Sequence, residues 1–182
     1  MTIGDAAHER WVHGTLDRYE GHLIRYAARI TGDLDRARDV VQDTFLRLWT
    51  AELGRVEDHV GEWLFTVCRN RALDVVRKER RMNQLTETQA TLCVSREPTP
   101  AAAAERRETA SRVLSEVKTL SESQQEVIRL RFQNEMSYKE ISRITGHSVS
   151  NVGFLIHTAI KILRQRLRSE LGLARETGGS TS

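Results

Sequence analysis

Residues 137–168 read SYKEISRITGHSVSNVGFLIHTAIKILRQRLR, and this pattern predicts a helix-turn-helix. Ser137 followed by Glu140 forms a capping box that begins a short helix, and Ser148 is the N-cap of a longer one. Gly146 lies between the two helices, where a positive φ costs glycine little. Because so short a turn places the second helix across the first, the second helix is free to enter the major groove of DNA.

Apolar residues recur at helical spacing on the predicted inner faces of both helices. In the first helix these residues are Ile141 and Ile144, with the small Ser142 at the crossing point. An ordinary helical hairpin buried in a core is the alternative, but the agreement of caps, glycine and spacing favours DNA binding. In the second helix the inner residues are Val149, Val152, Ile156, Ala159 and Leu163.

The composition favours a helical protein made of one domain or two small ones. The chain has 182 residues with only two prolines, and Leu, Ile, Val, Ala, Arg and Glu are abundant. Its formal net charge is +3, from 28 basic and 25 acidic residues. Residues 69–81 hold six basic and two acidic residues, whereas residues 31–58 hold four basic and seven acidic ones. A basic patch beside an acidic one predicts two surfaces for two different partners.

The sequence also argues against several classes of protein. It contains no run of about 18 apolar residues, so no membrane insertion is expected, and its first residues lack the blocks of a secretory signal. Cys68 and Cys93 form neither a metal-ligand cluster nor a disulfide framework, and Cys68 is expected in the core. No nucleophile–base pair or phosphate-binding loop indicates an enzyme, and neither a metal nor a cofactor is expected. We therefore expect a cytoplasmic protein that is not an enzyme.

Helical spacing predicts three helices in the first part of the chain. Their apolar residues run from 16 to 30, from 37 to 48 and from 63 to 75, and the third helix reaches about Arg81. A polar loop is expected at 52–61, between the second and third helices.

The pattern then divides the chain into segments. Residues 83–104 hold both prolines and an alanine run, a composition that predicts a flexible linker. Helical character resumes near Glu105, and Ser121 with Gln124 is another capping box. The predicted organisation is all-α, with a three-helix domain at 1–82, the linker at 83–104, a helix-turn-helix domain at 105–171 and a disordered tail at 172–182.

The second predicted helix has an outward face of mixed character. Acidic side chains stand there beside one exposed leucine, which suits a protein contact with a polar rim. A solvated face is an equally weighted alternative, because single exposed leucines are common. The residues of this face are Asp39, Gln42, Asp43 and Leu46.

The third predicted helix has an outward stripe that favours nucleic acid over simple solvation. Arginine side chains grip phosphates through two hydrogen bonds, and Asn70 offers a donor and an acceptor to a base edge. Trp63 either stacks on an unpaired base or enters the core, whereas Phe65 is expected in the core. The stripe consists of Thr66, Asn70, Leu73, Arg77 and Arg80, with Arg69 and Arg81 at its edges.

The last predicted helix carries no formal charge from Ser148 to Ile160. Its first turn favours phosphate, and its small polar side chains can bond to bases or phosphates. Phe154 packs either on a thymine methyl or against a protein, and His157 meets phosphate or water rather than acting as a catalyst. The residues expected to contact DNA are Ser148, Ser150, Asn151, Phe154, His157, Lys161 and Arg164.

The chain resembles a bacterial RNA polymerase sigma factor of the extracytoplasmic-function (ECF) class of the sigma-70 family. Residues 31–49, TGDLDRARDVVQDTFLRLW, are similar to the sigma-2 helix that grips the clamp helices of the polymerase β′ subunit. Residues 63–81, WLFTVCRNRALDVVRKERR, are similar to the next helix, which faces the promoter −10 element. Residues 120–152, LSESQQEVIRLRFQNEMSYKEISRITGHSVSNV, are similar to the sigma-4 domain, which reads the −35 element and touches the β flap. The resemblance covers about residues 16–167, with both domains in the family's order.

The resemblance, combined with the faces described above, implies a role for each site residue. The loop at 52–61 would help capture a flipped-out base, and the linker would thread toward the polymerase active-site cleft. Core polymerase would bind Asp39, Gln42, Asp43, Leu46 and Arg47. The −10 element would meet Trp63, Arg69, Asn70, Asp74, Arg77, Lys78, Arg80 and Arg81.

One segment departs from the family pattern. Where the family places V-K-S-R-L-H-R-A-R, residues 152–160 read VGFLIHTAI, so several charged contacts to the −35 element are missing. Each lost phosphate contact flattens the salt dependence of binding, and an uncharged helix also suits a protein partner such as an anti-sigma factor. The alternatives to a sigma factor are a free-standing helix-turn-helix regulator of duplex DNA and a protein-interaction module.

Overall fold

The computed structural model describes residues 3–83 and 113–170, which form two helical lobes. The predicted all-α class is confirmed, since the described residues contain helices and no strand. The predicted linker beyond residue 83 and the predicted tail lie outside the described residues. The first lobe contains α1 (Ile3–Thr31), α2 (Leu34–Trp49), α3 (Leu53–Val56), a 3-10 turn (Glu57–His59) and α4 (Val60–Asn83). The second contains a helical stretch at 113–117, then α5 (Glu122–Phe132), α6 (Tyr138–Thr145) and α7 (Val149–Glu170).

The core of the first lobe lies between α1, α2 and α4, which pack against one another in pairs. Leu23, Leu48 and Leu64 are fully buried there. Phe65 is also fully buried, as predicted, and meets Tyr26 edge to face with ring centroids 5.2 Å apart. Burying such side chains contributes about 1.5–3 kcal/mol each, so these contacts fix the positions of the three long helices.

A tight turn joins α1 to α2. Gly32 has φ 72°, in the left-handed region that favours glycine, and its N–H donates to the carbonyl of Ala28. The Asp33 carboxylate then accepts a hydrogen bond of 2.8 Å from the N–H of Arg36 and caps α2. After this turn α2 packs against α1, with its apolar stripe in the core.

The segment between α2 and α4 is helical, so the prediction of a loop at 52–61 was wrong. Val56 is buried with 4 % exposure, and the 2.7 Å ion pair between Glu52 and Arg55 spans the short helix. The segment holds Leu53, Val56 and Val60 among polar residues, and so short an apolar pattern is a weak signal for a helical turn. Gly61 lies close to α1, because a Cβ at this position would stand 3.0 Å from the Tyr19 hydroxyl oxygen.

The helix α1 begins much earlier than its apolar spacing indicated, at Ile3 rather than near Leu16. Its early turns still reach the core, since Val12 is 5 % exposed and Thr15 is 7 % exposed. The Thr15 hydroxyl donates to the carbonyl of Trp11 at 2.8 Å and so satisfies its own polar group inside the helix.

The second lobe confirms the predicted helix-turn-helix. Both capping boxes are present, at Ser121 with Gln124 and at Ser137 with Glu140. Gly146 ends α6 with φ 78°, and the Ser148 hydroxyl accepts a hydrogen bond from the N–H of Asn151 at 3.2 Å. These caps fix where α6 stops and α7 begins, which is what positions the exposed face of α7.

Most of the predicted inner residues of this motif are buried. They are Ile141, Ile144, Val152, Ile156 and Ala159. Leu163 is partly buried, and the Ser142 hydroxyl donates to the carbonyl of His147 at 2.6 Å. Val149 contradicts the prediction, because it is 44 % exposed: it lies in the first turn of α7, ahead of the residues that pack in the core.

Cys68 is fully buried in the first lobe, and burial raises the pKa of its thiol to about 12, although a hydrogen bond with Thr44 acts in the opposite direction. In a Cys93→Ser variant, Cys68 is the only thiol. We expect it to react with a thiol reagent at pH 8 roughly a thousandfold more slowly in the folded protein than in urea, because an unfolded thiol has a pKa near 8.5. Equal labelling rates in buffer and urea would show that Cys68 is accessible.

Candidate functional site

The outward face of α2 is exposed as predicted. Its inner residues are buried, so the polar residues project away from the core. Leu46, a large apolar side chain, is 66 % exposed beside these polar residues. We call Asp39, Gln42, Asp43, Leu46 and Arg47 the α2 face; all are exposed except Asp43, which is partly exposed.

Asp43 has a partner that the sequence did not indicate. Its carboxylate accepts a hydrogen bond from Arg71 Nε on α4 at 2.7 Å, and both side chains are 42 % exposed. Pairs exposed to this degree contribute about 0.2–1 kcal/mol, so the pair adds little stability. It does show that the α2 face adjoins α4, where the guanidinium group of Arg71 lies at the border.

Trp49 is a further candidate that the sequence analysis missed. It is the last residue of α2 and is 48 % exposed. It follows Leu46 by three positions and Gln42 by seven, which places it on the same side of the helix. The helical spacing of Trp49 from Gln42 and Leu46 is the signal for this position in the sequence.

The exposed stripe of α4 concentrates positive charge. Asn70, Asp74, Arg77, Lys78, Arg80 and Arg81 are exposed, whereas Trp63 and Arg69 are partly buried. We call these eight residues the α4 face. Partial burial of Trp63 leaves both of its predicted roles, stacking and core packing, compatible with its position.

Both carboxylates in the basic segment of α4, residues 69–81, are paired with arginines. Asp74 lies 2.9 Å from Arg77 on the same helix, and Glu79 lies 2.6 Å from Arg36 on α2. The Asp74 carboxylate therefore orients a guanidinium group of the face, while Glu79 ties α4 to α2. This arrangement leaves Lys78 and its neighbouring arginines as a predominantly positive surface.

An open cleft of about 330 Å³ lies along the end of α4, lined by Asp74, Arg77, Lys78, Arg81 and Met82. Three cations and one carboxylate surround it, and Met82 is 58 % exposed. Such a cleft suits a phosphate next to an apolar ring or sugar, because the cations hold the charge and the thioether contacts the apolar part. Met82 was not singled out from the sequence.

All seven residues predicted to contact DNA from α7 are exposed, and we call them the α7 face. Phe154 is 66 % exposed. Lys161 and Arg164 follow on the same side of the helix, at helical spacing from Phe154. The structure thus places a neutral half and a basic half in one continuous stripe.

Two residues outside α7 support its first turns. The ring of Tyr138 lies over Gly153, where a Cβ would find Tyr138 Cε2 at 3.6 Å. The guanidinium of Arg131 stacks over the same ring, 5.7 Å from its centroid, and donates to the carbonyl of Met136 at 3.0 Å. Neither Tyr138 nor Arg131 carried a functional prediction.

In residues 3–83 and 113–170, no three His, Cys, Asp or Glu side chains are placed to hold a metal ion. The helices within the same ranges include none with the length and apolar content needed to cross a membrane.

Comparison with known proteins identifies the family. Residues 15–82 match the family model for sigma-70 region 2, and residues 111–163 match that for sigma-70 region 4. The ECF RNA polymerase sigma factor SigL of Mycobacterium tuberculosis is 32 % identical over 93 % of this chain and 96 % of its own length. The ECF sigma factor SigM of Bacillus subtilis is 29 % identical over 83 % of this chain and 89 % of its own.

The fold has a matching solved structure. The sigma factor RpoE of Bartonella quintana, crystallised with the anti-sigma factor NepR, superposes with a TM-score of 0.67 at 24 % identity and covers 86 % of this chain and 96 % of RpoE. With both family models matched in order and the SigL relative matched over nearly its whole length, the chain belongs to the sigma-70 family, as an RNA polymerase sigma factor of the extracytoplasmic-function class.

Proposed function

We propose that the α2, α4 and α7 faces of this sigma factor bind three different targets. The α2 face docks on core RNA polymerase, with the β′ clamp helices as its partner. The α4 face holds the −10 element of the promoter as its strands separate. The α7 face reads the −35 element, next to a contact between its domain and the β flap. The observation that carries the proposal is that a mixed acidic and apolar face on α2 adjoins a basic face on α4 within one lobe.

The α2 face has the composition of a protein contact. Two large apolar side chains are exposed here, Leu46 on the face and Trp49 next to it on the same side of α2, and charged groups lie beside them. Interfaces typically hold a few aromatic and apolar anchors within a polar rim, and truncating such anchors costs the most affinity. Asp39 and Gln42 supply polar contacts, and Arg47 lies at the edge of the face.

The α4 face has the composition of a nucleic-acid contact. Arg77, Lys78 and Arg81 surround the cleft, where phosphates find several cations within reach. Asn70 is exposed on the same stripe and can bond to a base edge. Trp63 stands at the beginning of α4, and its partly exposed ring can stack on a displaced base.

Adjacent faces on one lobe suit strand opening. Separating DNA costs on average about 1.4 kcal/mol per base step, so a bubble of roughly ten steps costs about 14 kcal/mol. A lobe of this size cannot supply that free energy alone, whereas polymerase provides a large basic channel. Docking through α2 places α4 beside that channel, and the Asp43–Arg71 pair marks where the two faces meet.

The remaining assignments follow from this division. We assign residues 1–82 to the polymerase and −10 domain, 83–104 to a linker, 105–171 to the −35 domain and 172–182 to a tail. The protein acts in the cytoplasm, where transcription takes place, and is not itself an enzyme. Because the Bartonella quintana relative binds an anti-sigma factor, we include a protein of that kind among the partners proposed for this chain.

Leu46→Arg and the double variant Asn70→Ala/Arg77→Ala are expected to separate the first two functions. Leu46→Arg should lower the affinity for core polymerase about tenfold or more, because it places a charge in the apolar centre of the interface. The double variant should keep core affinity but reduce run-off transcription about tenfold or more, because it removes a base-edge and a phosphate contact. Core binding is measured by size exclusion and titration, and initiation by run-off transcription with reconstituted holoenzyme.

Leu34→Arg is the matched control, because Leu34 is 43 % exposed on α2 but lies outside the α2 face. It should bind core like the unaltered protein. If Leu34→Arg and Leu46→Arg weaken core binding equally, or if both test variants lose the same function, the assignment of faces is wrong. Tight, specific binding of promoter duplex by the free chain, with no joint particle with core, would instead support a free-standing regulator.

A further inference from the structure

We propose that Phe154 selects a thymine in the −35 element through its methyl group, and that the α7 face reads this element with little dependence on salt. This inference rests on the proposed −35 role of the α7 face and names the chemistry that it recognises. It concerns the neutral segment that departs from the family pattern.

The surroundings of Phe154 favour DNA over a protein partner. A helix that docks in a protein groove presents apolar anchors at spacings of three, four and seven residues. Around Phe154 the positions three and four residues away hold Ser150, Asn151, His157 and Thr158, all of which are polar. The large exposed ring is therefore isolated among hydrogen-bonding side chains and does not form part of an apolar stripe.

Val149 is the exposed apolar residue of α7 nearest to Phe154 in sequence, but it does not share a surface with Phe154. Val149 is 44 % exposed, but it precedes Phe154 by five positions, which on a regular helix places it about 140° away around the axis. It lies instead on the side of Gly153, over which the Tyr138 ring packs. The two exposed apolar side chains thus point in different directions, and one protein groove would not bury both.

The pattern around Phe154 fits the edges of bases in the major groove. Among the four bases only thymine carries a methyl group there, and an apolar side chain contacts it favourably. Ser150, Asn151 and His157 offer hydrogen bonds to neighbouring base edges. Lys161 and Arg164 lie further along the same stripe, where they reach phosphates.

The salt dependence of DNA binding is a second measurable property, because the charges of α7 lie in only one part of the helix. The plot of log affinity against log salt concentration becomes steeper by about 0.9 for each phosphate that a cation neutralises. From Ser148 to Ile160 no formal charge is present, so within α7 only residues from Lys161 onward contribute. Selectivity and salt dependence are therefore carried by different residues of one helix.

The test uses the full chain in holoenzyme with bacterial core polymerase. A promoter is first found by run-off transcription on genomic fragments. Each thymine of its upstream element is then replaced singly by deoxyuridine, which removes only the methyl group. At one or two positions we expect about a fourfold loss of open-complex formation, the factor that corresponds to about 0.8 kcal/mol for one buried methyl-sized group.

Two variants identify the side chain responsible. With Phe154→Ala the deoxyuridine penalty should disappear at those positions, while the salt slope stays unchanged because no charge is lost. With Lys161→Ala the penalty should remain, while the slope falls by about 0.9. Phe154 is 66 % exposed, so its truncation leaves the core intact, which circular dichroism checks.

The inference is overturned if deoxyuridine has no effect at any upstream thymine, or if the penalty persists in Phe154→Ala. It is also overturned if Phe154→Ala weakens binding to core, since the ring would then be a protein contact. A holoenzyme that forms and opens promoters, yet shows no thymine effect, contradicts this inference alone. A chain that forms no holoenzyme contradicts the proposed function itself.

A separate observation carries a second proposal: we infer that His8 is a positioning residue that holds Trp49 for docking on polymerase. His8 Nε2 lies 3.1 Å from the carbonyl oxygen of Trp49, and the two rings meet edge to face with centroids 5.6 Å apart. The first turns of α1, which lie before the matched region 2 of residues 15–82, thus support the end of the α2 face. This inference rests on the proposed polymerase contact of α2.

A double-mutant cycle tests this role in the full chain. His8→Ala should lower core affinity about two- to tenfold, the range that corresponds to one hydrogen bond. In a Trp49→Ala background the same change should have no further effect, whereas a merely structural role would lower affinity in both backgrounds. His8→Gln, which can still donate to the carbonyl, should restore part of the affinity.

His13→Ala is the control, because His13 is exposed on the same helix. It should leave core affinity unchanged. Equal losses from His8→Ala with and without Trp49, or no loss in either, would overturn the positioning role. If Trp49→Ala and Leu46→Arg both leave core binding intact, the polymerase contact of α2 is wrong and the role of His8 fails with it.

Discussion

The burial of a small apolar core between α1, α2 and α4 is the constraint on which the first lobe depends. Leu48 from α2 and Leu64 and Phe65 from α4 are fully buried, so neither helix can turn about its axis without exposing them. Because each helix has one inner stripe, its polar residues must face outward. Core packing therefore determines that the acidic and the basic faces lie side by side.

Ion pairs then change the charge of the surface that core packing has positioned. Asp43 pairs with Arg71 and Glu79 with Arg36, so that both link α2 to α4, while Asp74 pairs with Arg77 within α4. All six groups are at least partly exposed, and such pairs contribute little to stability. Their effect is on charge distribution: they neutralise carboxylates within the basic segment and leave the α4 face predominantly positive.

The sequence predicted the helices and the direction of most side chains, because caps and apolar spacing are local signals. Asp33, Ser121, Ser137, Gly146 and Ser148 all occur where their chemistry requires. The predictions that were wrong or missing concern features that the spacing of nearby residues does not indicate. The early turns of α1 contain few apolar residues, the helical turn at 53–56 is only four residues long, and Val149 has helical spacing but lies outside the packed part of its helix. The Asp43–Arg71 pair joins residues 28 positions apart, so only the packing of two helices could reveal it.

A neutral recognition helix has a consequence for how the protein finds its promoters. Cations on a DNA-reading helix raise affinity for every duplex, because phosphates are present at all sequences. In the proposed −35 contact, residues 148–160 carry no formal charge, so they would contribute selectivity but little general affinity for duplex DNA. The positive charge of this protein is concentrated instead on α4, in the domain assigned to the separated strand, and at the far end of α7. General affinity for DNA is then left largely to polymerase, and the sigma factor acts on promoters chiefly as part of the holoenzyme.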